Sequence, residues 1–207
     1  MDATPLRVAV ADDDQDLRRY LGELLPRLGC QVVASAAGGA ELLPRMAEAR
    51  PELLITDIRM PGMDGIELAR AANRELPLPV ILLSAHSDTE LIARAEADYI
   101  MSYLVKPVGE KDLKAAIPLA MQRFRHFQAL AAEAATLRQA LEDRKLIERA
   151  KGTLMRRLRV DEEDAFRRLR LLASSQNRKL VEIGRDVIAA DEIFRALEAV
   201  VAREHAH

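Results

Sequence analysis

Tryptophan is absent from this chain, and only three tyrosines and four phenylalanines are present. So few rings argue against a base-stacking platform of the kind that single-strand nucleic-acid binders use. Cysteine occurs once, at Cys30, which excludes an internal disulfide and fits a reducing compartment. Its place before Gln31-Val32-Val33 reads as a buried structural thiol rather than a reactive one. No apolar run approaches the ~20 residues that a membrane span requires. The start Met1-Asp2-Ala3-Thr4-Pro5 has neither the basic residues nor the apolar core of a secretory signal. A soluble, cytoplasmic protein is the expectation. The C-terminal half offers no nucleophile–base pair, and His205 and His207 sit at the tail as a weak metal signal, so enzymatic output is not expected.

What is present divides unevenly. The 207 residues suit one large or two small domains. Residues 1–143 carry 16 Lys and Arg against 22 Asp and Glu, whereas residues 144–207 carry 15 against 11. An acidic front and a basic back imply different partners for the two halves, and the basic half suits nucleic acid.

In the front half, short apolar runs alternate with helical patterns. Strands are predicted at 6–11, 31–35, 52–57, 79–83 and 101–105, and helices at 14–28, 38–49, 64–75, 87–97 and from about 110. Runs apolar throughout belong to strands buried on both faces, so a doubly wound five-stranded parallel sheet is expected. Four of the runs end on chemistry-bearing residues: Asp12 and Asp13, Asp57, Ser84, and Lys106. In such sheets reactive groups gather at the carboxyl ends of the strands. Asp and Ser are also common helix caps after strands, but five such groups at matching strand ends exceed what capping explains.

Three carboxylates, a hydroxyl and an ammonium at one sheet edge suit phosphoryl handling. Carboxylate oxygens are the natural ligands of Mg²⁺, so Asp12, Asp13 and Asp57 are the expected metal ligands. Asp57 is also the candidate nucleophile, because a carboxylate can take a phosphoryl group as an acyl phosphate. Lys106 would neutralise charge on the transferring group, and Ser84 would donate to one of its oxygens.

The segments Asp12-Asp13, Asp57-Ile58-Arg59-Met60-Pro61-Gly62-Met63-Asp64-Gly65, Ser84-Ala85 and Tyr103-Leu104-Val105-Lys106-Pro107 resemble the receiver domain of two-component response regulators. The resemblance implies a flavodoxin-like fold, with Asp57 as phosphoacceptor and a sensor histidine kinase as partner. It further implies the backbone carbonyl of Arg59 as a metal ligand and a cis Lys106–Pro107 bond. Ser84 and Tyr103 match the family's switch pair. A small phosphodonor is the only small-molecule substrate expected.

The segment from Glu110 has no Gly until Gly152, and its one proline, Pro118, is expected to bend the helix early. Phe127, Leu130, Ala134, Leu137 and Leu141 repeat at 3-4 spacing, an a/d seam of about two heptads that points to a homodimer through this helix. From Glu142, helices are predicted at 142–158, 161–174 and 178–190, then a short one near 191–203. Apolar stripes Leu146, Ile147, Ala150, Leu154; Ala165, Phe166, Leu169, Leu172; and Leu180, Ile183, Val187, Ile188 make a three-helix bundle.

Arginine and lysine crowd this bundle. Arg144-Lys145-Leu146-Ile147-Glu148-Arg149-Ala150-Lys151-Gly152-Thr153-Leu154-Met155, Asp161 to Arg170, and Asn177 to Ile188 resemble an ANTAR domain. That resemblance implies binding of hairpin RNA in leader transcripts and transcription antitermination. The expected RNA-binding residues are Lys145, Arg149, Lys151, Arg156, Arg178 and Lys179. Gly152 is expected to allow close helix approach. Arg159 stands where the family often has a helix-ending Gly, and Gly184 replaces a usual Ala. The expected organisation is a receiver over 1–122, a helical linker able to form a coiled coil over 123–141, and an ANTAR domain over 142–207. The rival readings are a DNA-binding output or a purely protein-interacting one, with the arginines then forming a solvated face.

Overall fold

The structure is a computed structural model and describes residues 4–85 and 99–204; the helix expected at 87–97 lies outside them. Five strands form one parallel sheet: β1 (Leu6–Ala11), β2 (Cys30–Ala36), β3 (Leu53–Asp57), β4 (Val80–Ser84) and β5 (Ile100–Val105), in the order β2-β1-β3-β4-β5. Six helices are described: α1 (Gln15–Arg27), α2 (Gly39–Ala49), α3 (Gly65–Glu75), α4 (Glu110–Leu158), α5 (Glu162–Ser175) and α6 (Leu180–Glu204). None of the described helices is long and apolar enough to cross a membrane. The chain divides into two compact units, residues 1–130 and 131–207, and α4 contributes to both.

In the first unit the two-residue period of the strands sorts side chains between two cores. Val8, Val10, Leu53, Ile55, Ile81 and Leu83 pack with Leu21, Leu24 and Leu25 of α1, and with Leu113, Ala116, Ile117, Ala120 and Phe124 of α4. Ala9, Ala11, Leu54, Val80 and Leu82 face Leu42 and Met46 of α2 and Ile66, Leu68, Ala69 and Ala72 of α3. Each fully buried Leu or Ile contributes roughly 1.5–3 kcal/mol by leaving water. Local capping fixes the helix starts. Asp14 accepts from the amides of Asp16 and Leu17 at the head of α1, and Asp64 forms a reciprocal capping box with Glu67 on α3.

Pro118 does not end α4, which runs unbroken through it. The missing amide hydrogen bond is offset by Leu113, Ala116, Ile117 and Ala120, all buried against the sheet.

The second unit has a small core of Ala150, Leu169, Ala173 and Ile183, with Leu154, Leu180, Val187 and Ile188 around it. Phe166 and Leu172, expected in the core, are exposed, and Phe166 instead offers its ring to Lys151 and Arg170. A cation over an aromatic face is a stable alternative to burial. α4 ends at Leu158 because Arg159 turns left-handed at φ 53°, adopting the conformation in which a glycine would be unstrained. A Schellman motif closes α5. Asn177 sits at φ 51°, its amide donates to Ser174 O, and Arg178 N donates to Ala173 O.

Two glycine expectations change. A Cβ on Gly184 would lie 2.8 Å from Leu146 Cδ2 and 3.5 Å from Ala150 Cβ, so Gly184 lets α6 approach α4 closely. Gly152 has no such role, since a Cβ there would meet nothing nearer than Arg156 Nη1 at 3.7 Å. The break expected near 190 is also absent, and α6 is one helix. Nothing between Ile188 and Asp191 stops a helix, because Ala189 and Ala190 are strong helix formers.

Candidate functional site

The strand order places a topological switch between β1 and β3, and there the crevice opens at the carboxyl ends of the strands. Asp12 and Asp13 follow β1, Asp57 ends β3, Ser84 ends β4, and Lys106 follows β5. Register holds them together: Ser84 pairs with Val105, and Lys106 N donates to Ser84 O at 2.8 Å. One carboxylate oxygen from each of Asp12, Asp13 and Asp57 lies within 4.8 Å of the others. Lys106 Nζ donates to Asp57 Oδ2 at 2.6 Å and stands 2.8 Å from Asp12 Oδ2, close enough to pair but poorly aligned for a hydrogen bond.

Burial sets the charges. Asp12 is fully buried, Asp57 nearly so, and Asp13 is exposed. Loss of water pushes the Asp12 carboxyl up from its ordinary value, against the lowering effect of Lys106 and of the Asp14 amide. Burial pulls the Lys106 ammonium down, but its close pairing with the Asp12 and Asp57 carboxylates outweighs that, so its pKa is raised and it stays cationic. Three carboxylates against one ammonium leave the cluster negative. Asp12 Oδ2 and Ser84 Oγ are buried without a hydrogen-bond partner. Oxygen donors with spare lone pairs at one negative edge fit a hard divalent cation such as Mg²⁺. The Arg59 amide donates to Asp57 Oδ1 at 3.4 Å, and the Lys106–Pro107 bond is cis. Tyr103 lies half-buried on β5 against the second core, where burial pushes its phenol up.

Sequence reasoning assigned no role to three residues that hold the site. A Cβ on Gly65 would lie 1.9 Å from Asp57 O, so only glycine lets the head of α3 pack there. Thr56 Oγ1 donates to that same oxygen at 3.0 Å. Arg18 Nη1 donates to Asp12 O at 2.6 Å, anchoring the turn after β1. Gly65 closes the quoted Asp57–Gly65 segment and was legible there; Arg18 carried no signal.

The basic residues of the second unit fall into different settings. Lys145 is exposed and pairs with Glu142 at 2.8 Å. Arg149 and Lys179 are exposed and make no ion pair among the described residues. Arg156 is exposed, with Thr153 Oγ1 at 3.3 Å and Asp191 at 3.9 Å. Arg178 pairs with Asp186 at 2.7 Å and Glu182 at 3.4 Å. Lys151 is buried, its ammonium 2.8 Å from Glu148 and 2.7 Å from Glu162, which makes it a bundle cross-link. Asp191 is buried and accepts from Arg157 at 2.7 Å, with Arg195 at 2.8 Å. Arg157 and Glu198, also paired, complete a network that the sequence did not single out.

The sequence matches the family model described as response regulator receiver domain over residues 8–118, and that of the ANTAR domain over residues 135–188. It is 38% identical over 186 residues to the transcriptional regulatory protein PdtaR of Mycobacterium tuberculosis H37Rv, covering 90% of this chain and 91% of that one. The DNA-binding transcriptional regulator NtrC of Escherichia coli K12 is 37% identical over 122 residues, a match covering 58% of this chain and 25% of that protein. Among solved structures, a response regulator receiver domain protein from Clostridium thermocellum superposes with a TM-score of 0.54 at 29% identity, covering 58% of this chain and 97% of that one. The signal receiver domain of NarL from M. tuberculosis gives 0.54 at 30% identity, covering 58% and 98%. The chain therefore belongs to the response regulators and joins a receiver domain to a C-terminal ANTAR domain.

Proposed function

We propose that this chain is a phosphorylation-controlled antiterminator that binds hairpin RNA in leader transcripts. The observation that carries the input half is the meeting of Asp12, Asp13, Asp57, Ser84 and Lys106 at one sheet edge. An Asp57 carboxylate oxygen attacks the phosphorus of a sensor kinase phosphohistidine. The P–O bond forms as the P–N bond breaks, and the imidazole leaves. Asp12, Asp13 and Asp57, with the Arg59 carbonyl, would hold Mg²⁺, which when bound neutralises charge on the phosphoryl oxygens. Lys106 lies against Asp57 Oδ2 and supplies the remaining positive charge. Ser84 Oγ, buried and unpartnered, donates to a phosphoryl oxygen once Asp57 is modified, and Tyr103 follows it inward.

The output half rests on the ANTAR match and the exposed cations Lys145, Arg149, Arg156, Arg178 and Lys179. Lys151 belongs with them by sequence position, but its two carboxylate partners make a supporting role the better one. The seam on α4 leaves Leu130, Leu137 and Leu141 exposed by more than half, an apolar stripe suited to a second copy of the chain. A DNA-binding output is less favoured, because residues 135–188 match the ANTAR model, whereas the resemblance to NtrC covers 58% of this chain and 25% of that protein.

The test compares the native chain with Asp57→Ala in the presence of Mg²⁺ and a small phosphodonor. Native protein is expected to gain one alkali- and hydroxylamine-labile phosphoryl group, as an acyl phosphate gives, and to shift a leader RNA carrying two hairpins at lower concentration. Equal RNA binding by both proteins removes the switch, and no RNA binding at low salt removes the output assignment.

A further inference from the structure

Arg18 behaves unlike the other cations near the acidic edge of the receiver. It stands near the head of α1, close in sequence to Asp13, Asp14 and Asp16, yet it makes no ion pair among the described residues. Its neighbour Arg19 pairs with Asp16 at the surface. Arg18 is half-buried and aims Nη1 at the backbone, donating to Asp12 O at 2.6 Å. A charged donor on a carbonyl makes one of the stronger hydrogen bonds.

That carbonyl belongs to the peptide joining Asp12 to Asp13. The peptide is planar, so holding its oxygen restrains the plane from which both residues hang. Asp12 has further support. Its amide donates to Ala36 O at 3.3 Å, its Oδ1 accepts from Asp14 N at 2.9 Å, and Lys106 Nζ lies 2.8 Å from its Oδ2. Asp13 has none of this. Its side chain is exposed and makes no hydrogen bond or ion pair among the described residues. One of its oxygens nevertheless lies within 4.8 Å of those of Asp12 and Asp57. Three like charges repel, and the exposed one is free to swing out into water. What keeps Asp13 at the cluster is its backbone, and α1 pins that backbone through Arg18.

We propose that Arg18 is a positioning residue for the divalent cation of the receiver, clamping the Asp12–Asp13 peptide so that Asp13 stays within reach of the ion. The proposal rests on the reading of Asp12, Asp13 and Asp57 as metal ligands. A guanidinium beside a cation site also repels the ion through its charge. The two effects differ in sign: loss of the clamp weakens metal binding, and loss of the charge tightens it.

The experiment titrates the full chain with Mn²⁺, which shares the oxygen preference of Mg²⁺, and reads the free ion by its paramagnetic resonance signal. Arg18→Met is expected to bind Mn²⁺ about 5- to 30-fold more weakly than the native chain, the cost of ordering about one residue of backbone. Arg18→Gln, polar but shorter, does the same, and Arg18→Lys recovers part of the loss. The ratio persists in about 1 M KCl, where the Debye length is ~3 Å, because salt screens charge and not the clamp. Asp13→Asn removes the ligand itself, and in that background Arg18→Met adds little further loss. A merely structural arginine would cost the same with or without the Asp13 carboxylate. Tighter binding by Arg18→Met overturns the clamp and leaves the metal ligands standing. So does an unchanged affinity beside a lowered melting temperature, or an equal loss in the Asp13→Asn background. A native chain that binds no Mn²⁺ overturns the metal reading and the clamp together.

Discussion

Asp12 is the most burdened residue of the receiver. It is fully buried, its Oδ2 lacks a hydrogen bond, and loss of hydration raises its pKa despite the nearby Lys106. A raised carboxyl pKa means that the folded state holds its proton more tightly than the unfolded chain does. Stability from this group is therefore fully present below the ordinary value of 3.8 and is lost as pH rises through the folded pKa. Asp12→Asn is expected to raise the unfolding midpoint of the metal-free protein at neutral pH, and that advantage shrinks as the solution is acidified. Mg²⁺ reverses the order. At about 100 times its Kd it adds about 2.7 kcal/mol to the native protein, and much less to the variant, which lacks one ligand. Thermal melts at two pH values, with and without Mg²⁺, check both signs. The sequence made Asp12 legible because a parallel strand is apolar until its end, so the first carboxylate marks the edge. It could not make Lys151 legible in the same way. The burial of that ammonium depends on Glu162, which another helix brings to it.

At the scale of elements, α6 departs most from the sequence reading. A boundary at 190 followed from the end of the stripe Leu180, Ile183, Val187, Ile188, but the end of a stripe is not the end of a helix. The extra turns carry Asp191, Phe194 and Glu198, all of which engage Arg157 on α4. Hydrogen bonding from Arg157, then charge from Arg195, Arg157 and Arg156, holds the Asp191 carboxyl below its ordinary value. For a depressed carboxyl the stabilisation is present above 3.8 and disappears as pH falls through the lowered value. Asp191→Asn is expected to melt the second unit at a lower temperature at neutral pH, with the gap to the native protein closing in acid. A fluorophore or amide-exchange probe confined to residues 180–199 isolates this transition from that of the receiver. The strands were easier to read, because burial on both faces removes polar residues from each run and leaves sharp ends. A partly solvated helix keeps polar residues along its whole length and hides its end.

At the scale of the whole chain, two units with separate cores share α4, and the acidic and basic halves meet along it. Phosphorylation at Asp57 can reach RNA affinity by two routes, and the exposed seam of α4 separates them. If the phosphoryl group exposes RNA-binding residues within one chain, affinity for a single hairpin rises. If it drives pairing through Leu130, Leu137 and Leu141, single-hairpin affinity stays the same. Affinity for a two-hairpin RNA then grows, because the second contact becomes intramolecular at an effective concentration near the millimolar range. The apolar stripe favours the second route, since Leu130, Leu137 and Leu141 are each more than half exposed. Phosphorylated native protein is expected to bind two-hairpin RNA roughly 10²-fold or more tightly than one-hairpin RNA, given that tandem contacts gain 10²–10⁴. Leu137→Glu, which places a charge on the seam, keeps the one-hairpin affinity and the Asp57 phosphoryl group but loses the gain and sediments as a monomer. A Leu137→Glu protein that retains the full two-hairpin gain would exclude pairing through α4 and leave exposure within one chain as the route.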